Sequence, residues 1–590
     1  MAKNTKLELT WIGKEKRPRL EPRVLVEDPS KSYHAAVRHG DKDIFDNMLI
    51  HGDNLLALKA LEQQFAGQVK CIYIDPPYNT GKAFEHYDDG LEHSIWLGLM
   101  RERLSLLWQL LKPEGCLAVQ IDNTECAYLK VVLDEIFGRE NMINTISVKA
   151  KIAGVSGSNL GKSLQDNVEY ILIYCKDIEK FQLQSVPRKC FELMAYIDEY
   201  KNSGKSWKYT SVLRRVDGGR YIKSFLAGNG DEIKLFKHDV FEVRSINQIA
   251  AEEFSGDISK VYAHYINEIF RTTNAQTSIR TKVIEATREL GNKGLYSIEY
   301  IPTKGRNAGA TIRSYYKDGN LIAWLRDVTV QKDDGIYKVE QPGNLWDDIQ
   351  YNNLTKEGNV QFPNGKKPEM IVQRIVEMGS NPGDIVLDSF LGSGTTAAVA
   401  HKMGRRWIGI EIGEHCHTHC IPRLQNVIDG EQGGISKSVN WQGGGGFRFY
   451  ELAPTLIKED AFGQKVINKE YNAEMLAEAV CKLEGFTYAP SETEYFIHGH
   501  STERDFIYVT TNTLKPEHLA ALNERVGGER SLLVCCKAFT KGSAKLPNLT
   551  VKKIPKAVLD KCEYGHDDYS LNVKNLPMAE QPLEQGDLFG

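Results

Sequence analysis

The sequence predicts an α/β protein built on a doubly wound parallel sheet, broken by a long insertion and followed by a small C-terminal α/β domain. Three observations predict it. Apolar runs of strand length end in acids: Val69–Ile74 before Asp75, 116–121 before Asp122, 385–387 before Asp388 and 407–410 before Glu411. Segments with apolar residues at helical spacing alternate with such runs, at 55–64, 96–111 and 128–137. Between about 180 and 340 that alternation fades, and it returns afterwards.

The bulk numbers narrow the class. A chain of 590 residues is long enough for three or four structural units. Its net charge of -4 excludes a general polycation, so a nucleic-acid partner would need a local basic surface. No apolar stretch is long enough to span a bilayer, and the polar, basic start lacks the apolar core of a secretory signal. The 11 cysteines have no framework spacing and read as free thiols. A cytoplasmic protein with no membrane partner is expected.

In chain order, residues 1–45 are polar and mixed in charge, and read as an N-terminal arm or a peripheral cap. His51-Gly52-Asp53-Asn54 closes the first strand of the segment 46–180. Asp53 suits two roles there, a cap for the helix over 55–64 or a ligand contact at a strand end. Asp75-Pro76-Pro77-Tyr78 follows the second strand. The prolines end the ladder and hold a rigid turn at the sheet's carboxyl edge, where open α/β folds place their chemistry. An acid beside a flat aromatic suits a planar ligand bearing an amino group, such as a nucleobase. The polar loop after Tyr78 could cover such a ligand. Gly138 stops the helix over 128–137, and 168–174 is a further strand.

Residues 181–340 interleave bases and aromatics: Lys205, Trp207, Lys208, Arg214, Arg215, Lys304, Arg306 and Arg313. Bases can hold phosphates and aromatics can stack on nucleobases, which predicts a nucleic-acid face. Residues 341–432 restore the α/β pattern. Asp388-Ser389-Phe390-Leu391-Gly392-Ser393-Gly394-Thr395 is a strand end, a glycine turn and a helix start. Glu411 ends the next strand 17 residues after Gly394, the place of a ribose-binding carboxylate in Rossmann-like sites. The turn lacks the full dinucleotide fingerprint and any P-loop lysine, so it suits a nucleoside ligand without a pyrophosphate.

The run Glu414-His415-Cys416-His417-Thr418-His419-Cys420 looks metal-binding. Cys416 and Cys420 lie one helical turn apart, on a helix expected beneath the sheet, and no second pair sits at finger spacing. Packing is the reading here, with no metal. The glycine-rich 433–460 reads as a linker, 461–575 as the small α/β domain, and 576–590 as a flexible tail. An apolar pair, Leu588 and Phe589, near a flexible end suits a docking peptide.

Taken together, these segments resemble the β-class amino-methyltransferases of DNA, in which the Asp-Pro-Pro-Tyr turn precedes the Phe-x-Gly-x-Gly turn and the target-recognition region lies between. More narrowly, the chain resembles the modification subunit of type III restriction systems. The residues that carry this are His51 to Asn54, Tyr73 to Gly81, Leu345-Trp346-Asp347-Asp348-Ile349, Lys367-Pro368-Glu369, Phe390 to Gly394 and Gly443 to Leu452. The resemblance implies a Rossmann-like S-adenosylmethionine-dependent methyltransferase sheet, with a catalytic half at 46–180, a target-recognition domain at 181–340 and a cofactor half at 341–432. It implies catalysis by Asp75, Pro76, Pro77 and Tyr78. It assigns cofactor binding to Asp53, Lys367, Pro368, Asp388, Phe390, Gly392, Gly394, Thr395 and Glu411. Asp at the first motif position resembles adenine-N6 enzymes more than cytosine-N4 ones. Duplex DNA, a second copy of the chain and a restriction (helicase-nuclease) subunit are the implied partners, with a nucleoid-associated location. Residues 585–589, from Gln585 to Phe589, are similar to a sliding-clamp-binding peptide, although Gly586 departs from the leucine expected second. The competing readings are a cytosine-N4 or RNA base methyltransferase, and a DNA-recognition subunit that mainly targets a nuclease partner.

Overall fold

In the computed structural model, residues 8–569 are described apart from 39, 41–42, 79–92, 151–165, 186–187, 228–229, 275–277, 303–308, 342, 352–353, 363–364, 541 and 543–545. The main sheet has eleven strands. Along the chain they are β1 (Leu25–Glu27), β2 (Tyr33–His34), β3 (Asn47–His51), β4 (Val69–Ile74), β5 (Leu111–Ile121), β6 (Met142–Lys149), β7 (Val168–Cys175), β8 (Leu345–Trp346), β9 (Ile385–Asp388), β10 (Arg406–Glu411) and β11 (Gly446–Leu452). Helices α1 (Asn54–Phe65), α2 (His93–Leu110) and α3 (Cys126–Phe137) belong to the first half, and α4 (Glu369–Gly379), α5 (Thr395–Lys402) and α6 (Ile421–Ile428) to the second.

Strand β4 accounts for the layering. All six of its residues are buried. Ile72 and Ile74 join the cluster that α1, α2 and α3 build on one face, while Cys71 and Tyr73 join the α4, α5 and α6 cluster on the other. A continuous apolar strand is what a sheet covered on both sides requires. The order across the sheet is β1-β11-β3-β10-β9-β4-β5-β7-β6-β8, with β2 also on β11. From β4 the chain passes through α2 to β5 on one side, and from β9 through α5 to β10 on the other. The β4–β9 boundary is therefore a topological switch point, where the two helices part and leave a crevice at the strands' carboxyl ends.

The sheet is mixed rather than wholly parallel. β7 runs antiparallel to both β5 and β6, and β1 and β2 run antiparallel to β11. Two-face burial is blind to strand direction, so an apolar run such as 168–174 does not announce which way it points.

Two expected boundaries are corrected. The N-terminal segment is no loose arm: it supplies β1 and β2, and Trp11 packs into the core. Two of its charges, Arg23 and Glu21, are buried 3.3 Å apart, and Arg23 also lies 2.8 Å from Asp567. The glycine-rich stretch read as a linker is not a loose connection either. Gly446–Leu452 is β11, parallel to β3. Gly443, Gly444 and Gly445 have φ of 98°, 111° and 74°, and a Cβ at Gly445 would stand 2.7 Å from the Ile44 carbonyl oxygen. These glycines permit close approach, a demand that composition alone does not separate from flexibility.

The chain divides into two units, Pro187–Pro342 and the remainder, so the insertion expected at 181–340 begins and ends slightly later. Taken by itself, the insertion holds an eight-stranded antiparallel sheet and a three-stranded one. Among the described residues, the region after β11 holds a two-stranded sheet and a five-stranded one, in which Asp505–Leu514, Ser531–Phe539 and Leu549–Lys553 are parallel neighbours. It falls within the same compact unit as the main sheet. The tail 576–590, with Gln585 and Phe589, lies outside the described residues. Among the described residues no helix is long and apolar enough to cross a membrane.

Gly445→Ala is expected to lower the unfolding free energy by about 2 kcal/mol or more, since an L-residue there is strained and collides with backbone. Urea denaturation reads this, and an unchanged midpoint would restore the linker reading.

Candidate active site

The switch-point crevice collects most of the residues that the sequence singled out. β4 delivers Asp75, and the two prolines carry the chain out of the ladder. The Trp96 indole N–H of α2 donates to the Pro77 carbonyl at 2.7 Å and holds the turn in place. On the neighbouring strand, β9 ends in Asp388 and runs into the glycine turn, where Gly392 and Gly394 take φ of 55° and 81°. Asn54 at the start of α1 donates to the Ser389 carbonyl at 2.7 Å, tying a third element to this edge.

Around Asp75 stands a buried polar cluster. The Tyr78 hydroxyl donates to Asp75 Oδ1 at 2.7 Å. Lys367, just before α4, places Nζ 3.4 Å from Asp75 Oδ1 and 2.9 Å from Glu169 Oε2. Its ammonium also lies 2.5 Å from the Tyr78 hydroxyl and 4.7 Å from that ring's centroid. Glu169 Oε2 further accepts from Gln120 at 2.5 Å and lies 3.2 Å from the Tyr78 hydroxyl. Side-chain exposures of 21% for Asp75, 14% for Lys367 and 15% for Glu169 leave an edge of this cluster open to a ligand.

Electrostatics follow from the burial. Desolvation pushes the Asp75 carboxyl up to about 6; Lys367 opposes the rise and Glu169 adds to it. Burial also works against the charges of Glu169 and Lys367, but their attraction wins. Glu169 is held below the usual carboxylate range, and Lys367 is raised. Asp388, desolvated yet bonded by Thr396 Oγ1 at 2.5 Å and the Phe390 N–H at 2.9 Å, sits at about 7.

Beneath the glycine turn lies a second ionic group. Arg423 donates to the Ser393 carbonyl at 3.2 Å and to Thr395 Oγ1 at 2.7 Å, and pairs with Glu369 at 2.9 Å. Lys402 pairs with Glu369 at 2.9 Å and also with Glu431. Burial raises the Glu369 carboxyl, but Arg423 and Lys402 outweigh it and leave it below its usual range. This group fixes the turn's shape from below.

Several expected residues sit differently from their sequence reading. Lys367 stands with Asp75 in the catalytic cluster, and Pro368 caps α4. Asp53 has no side-chain surface left for a ligand. Its Oδ1 accepts the Leu55 and Leu56 N–H groups at 2.9 and 3.1 Å. Its Oδ2 accepts the Tyr569 N–H at 2.9 Å, with Arg103 at 3.4 Å. Glu411 turns onto its own loop, accepting the N–H groups of Gly392, Ile412 and Gly413 at 2.7, 2.9 and 3.0 Å. Cys416 and Cys420 are buried, while His417 comes together with His51 and Glu451, whose carboxylate already pairs with Lys31 at 2.9 Å.

In the insertion, Lys205, Lys208, Arg215 and Arg313 are exposed. Arg214 pairs with Glu253 at 2.9 Å. Trp207 is a correction: it donates to the Tyr262 hydroxyl at 2.8 Å and packs among Tyr196, Tyr200 and Tyr209, so it serves that unit's core. Lys304 and Arg306 lie outside the described residues. The sequence reading missed Glu169, Arg423 and Tyr351. The one available signal for Glu169 was an acid at the start of an otherwise apolar strand.

Comparison with known proteins places the chain. The model of the N6/N4 methylase family, described as DNA methylase, matches residues 69–421. The "Probable type III restriction-modification enzyme HindVI Mod subunit" of Haemophilus influenzae is 48% identical over 422 residues, covering 71% of this chain and 55% of that one. The type III restriction-modification enzyme EcoPI Mod subunit of Escherichia phage P1 is 25% identical over 442 residues, covering 67% and 60%. The chain thus spans little more than half the length of these two relatives. Among solved structures, the M1.HpyAVI-SAM complex is 14% identical, covering 64% of this chain and 98% of that one at a TM-score of 0.27, too loose a superposition to add to the geometry.

Asp53→Ala removes two cap bonds and leaves Arg103 buried without its carboxylate. The expected loss is about 3 kcal/mol of stability, measured as a shift of the urea midpoint at constant slope. A midpoint within error of the wild type would return Asp53 to the ligand-contact reading.

Proposed function

This chain belongs to the N6/N4 family of DNA methylases, and on that premise we propose that it methylates the N6 amine of an adenine flipped out of duplex DNA. The methyl donor is S-adenosylmethionine, and the chain acts as the modification subunit of a type III restriction-modification system. The observation that carries this reading is the Asp75–Tyr78 turn at the switch-point edge, one strand away from the glycine turn that begins at Asp388. Two buried polar atoms at this edge, Ser389 Oγ and the Tyr351 hydroxyl, have no hydrogen-bond partner among the described residues. Native proteins rarely leave such atoms unpaired, and a ligand rich in hydroxyl and amino groups would satisfy them. The donor would lie against Phe390, Gly392, Gly394 and Thr395, with Asp388 and Glu411 shaping the turn and the ribose end.

When bound, the donor supplies a methyl group activated on a sulfonium. The N6 lone pair is delocalised into the adenine ring, which makes the amine a weak nucleophile. The Asp75 carboxylate and the Pro76 carbonyl accept its two N–H bonds, localise the lone pair and aim it. The aimed N6 lone pair would then accept the methyl group that the bound donor supplies. The surplus proton on nitrogen leaves by way of Asp75. Tyr78 stacks on the flipped base. Positioning and electrostatics supply most of the acceleration.

The exposed bases of the insertion, Lys205, Lys208, Arg215 and Arg313, would contact DNA phosphates. The relatives' names, each a Mod subunit of a type III restriction-modification enzyme, support a restriction subunit as partner; a second copy of the chain is proposed from the family resemblance alone.

With labelled S-adenosylmethionine and unmethylated genomic DNA, label is expected in N6-methyladenine at one short asymmetric site. Label in N4-methylcytosine would correct the base, and label on RNA would correct the polymer. Asp75→Ala is expected to cut transfer by at least 1,000-fold, roughly 4 kcal/mol of transition-state stabilisation, with the fold intact. Because the ionised carboxylate is the active form, the wild-type rate is expected to fall as pH drops through about 6. Transfer by Asp75→Ala at the wild-type rate would remove Asp75 from the mechanism.

A further inference from the structure

The cluster around Asp75 contains one carboxylate more than the proposed chemistry uses. Glu169 enters from β7, and its Oε2 accepts from Gln120 at 2.5 Å and Lys367 at 2.9 Å and lies 3.2 Å from the Tyr78 hydroxyl, which stands closer to Asp75 at 2.7 Å. Gln120 is itself fixed by the Tyr73 hydroxyl at 2.5 Å. Two of these neighbours, Lys367 and Tyr78, also face Asp75.

The distances are unequal in an informative way. Lys367 Nζ is at hydrogen-bond distance from Glu169, 2.9 Å, but stands back at 3.4 Å from Asp75. A cation there pairs with Asp75 at longer reach than with Glu169, so its field outweighs its hydrogen bond. Coulomb attraction falls only as the inverse of distance, whereas a hydrogen bond is lost over a few tenths of an ångström. Asp75 thus keeps its charge and an acceptor edge that an incoming amine can take.

We propose that Glu169 is a positioning residue for methyl transfer, holding the Lys367 ammonium back so that Asp75, whose Oδ1 already accepts the Tyr78 hydroxyl at 2.7 Å, stays charged with its other oxygen open to the target amine. This rests on the methyltransferase reading above. The other charged or titratable groups that face Asp75 among the described residues are Tyr73 on its own strand, Asp388 on β9 and Tyr351 after β8. None of them bonds both Lys367 and Tyr78.

Removing the charge from Glu169 or from Lys367 should move Asp75 in opposite directions. Without the Glu169 charge, Lys367 closes on Asp75. The carboxyl then ionises more readily, but the amine must displace an ammonium. Without the Lys367 charge, burial dominates and Asp75 protonates more readily.

The test is the single-turnover rate of methyl transfer to DNA across pH 5–9, at saturating S-adenosylmethionine, for wild type, Glu169→Gln, Glu169→Asp and Lys367→Gln. Glu169→Gln is expected to move the acid limb down by about one pH unit and to lower the plateau rate about tenfold. Lys367→Gln is expected to move the limb up, and Glu169→Asp to keep the wild-type limb. A Glu169→Gln limb that coincides with the wild type overturns the inference even if the plateau falls, because a purely structural role lowers the rate without moving the limb. Should Glu169→Gln fail to fold, an unmoved limb in Lys367→Gln overturns it equally. Wild-type protein that transfers no methyl group at all brings down the underlying reading, whereas transfer with unmoved limbs brings down this inference alone.

Discussion

The parallel pairing of β9 with β4 is the contact on which the site depends. Leu387 lies in register with Ile72 and Val386 with Cys71, joining segments more than three hundred residues apart. Once the two strands lie side by side, their carboxyl ends set Asp75 and Asp388 at one edge. The right-handed crossovers that follow carry α2 to one face and α5 to the other. The crevice is a consequence of that divergence. The insertion occupies the gap in sequence, and both halves meet through strands buried on both faces, with one register shift between Ile385 and Val386.

Charge inside the crevice is handled by grouping rather than by solvent. Asp75, Glu169 and Lys367 form one set, and Glu369, Lys402, Arg423 and Glu431 another. Buried ion pairs add little net stability over apolar packing, but removing one partner is costly, about 3–5 kcal/mol. Their effect is to admit one arrangement of the turns they support. The set beneath the glycine turn holds Ser393 and Thr395 in place, and the set beside Asp75 tunes a carboxylate at the point of chemistry.

How legible this was in the sequence varies with the physical signal. Asp75, Asp388 and Glu411 could be read because each ends an apolar run in a parallel strand, whose carboxyl end lies at the functional edge. Glu169 could not. β7 runs antiparallel, so its first residues reach that edge, and nothing in an apolar run states its direction. Trp207 beside lysines looked like a stacking platform, yet its indole joins a ring of tyrosines in a core. The glycines at 443–445 looked flexible, yet close approach demanded them.

What the sequence by itself determined is local: which runs are strands, where they stop, and which chemical groups stand at their ends. Two prolines, a glycine turn and the period of apolar residues act within a few residues, and their outcome is the same wherever the segment lies. What only the tertiary structure decided is which of those groups meet. Lys367 stands with Asp75 and Glu169 rather than at the far end of the crevice, and Asp53 closes on Arg103 and Tyr569. Such partnerships depend on strand order, strand direction and the desolvation that long-range packing imposes. A carboxylate's charge and partner are therefore settled by the fold around it, not by its neighbours in the chain.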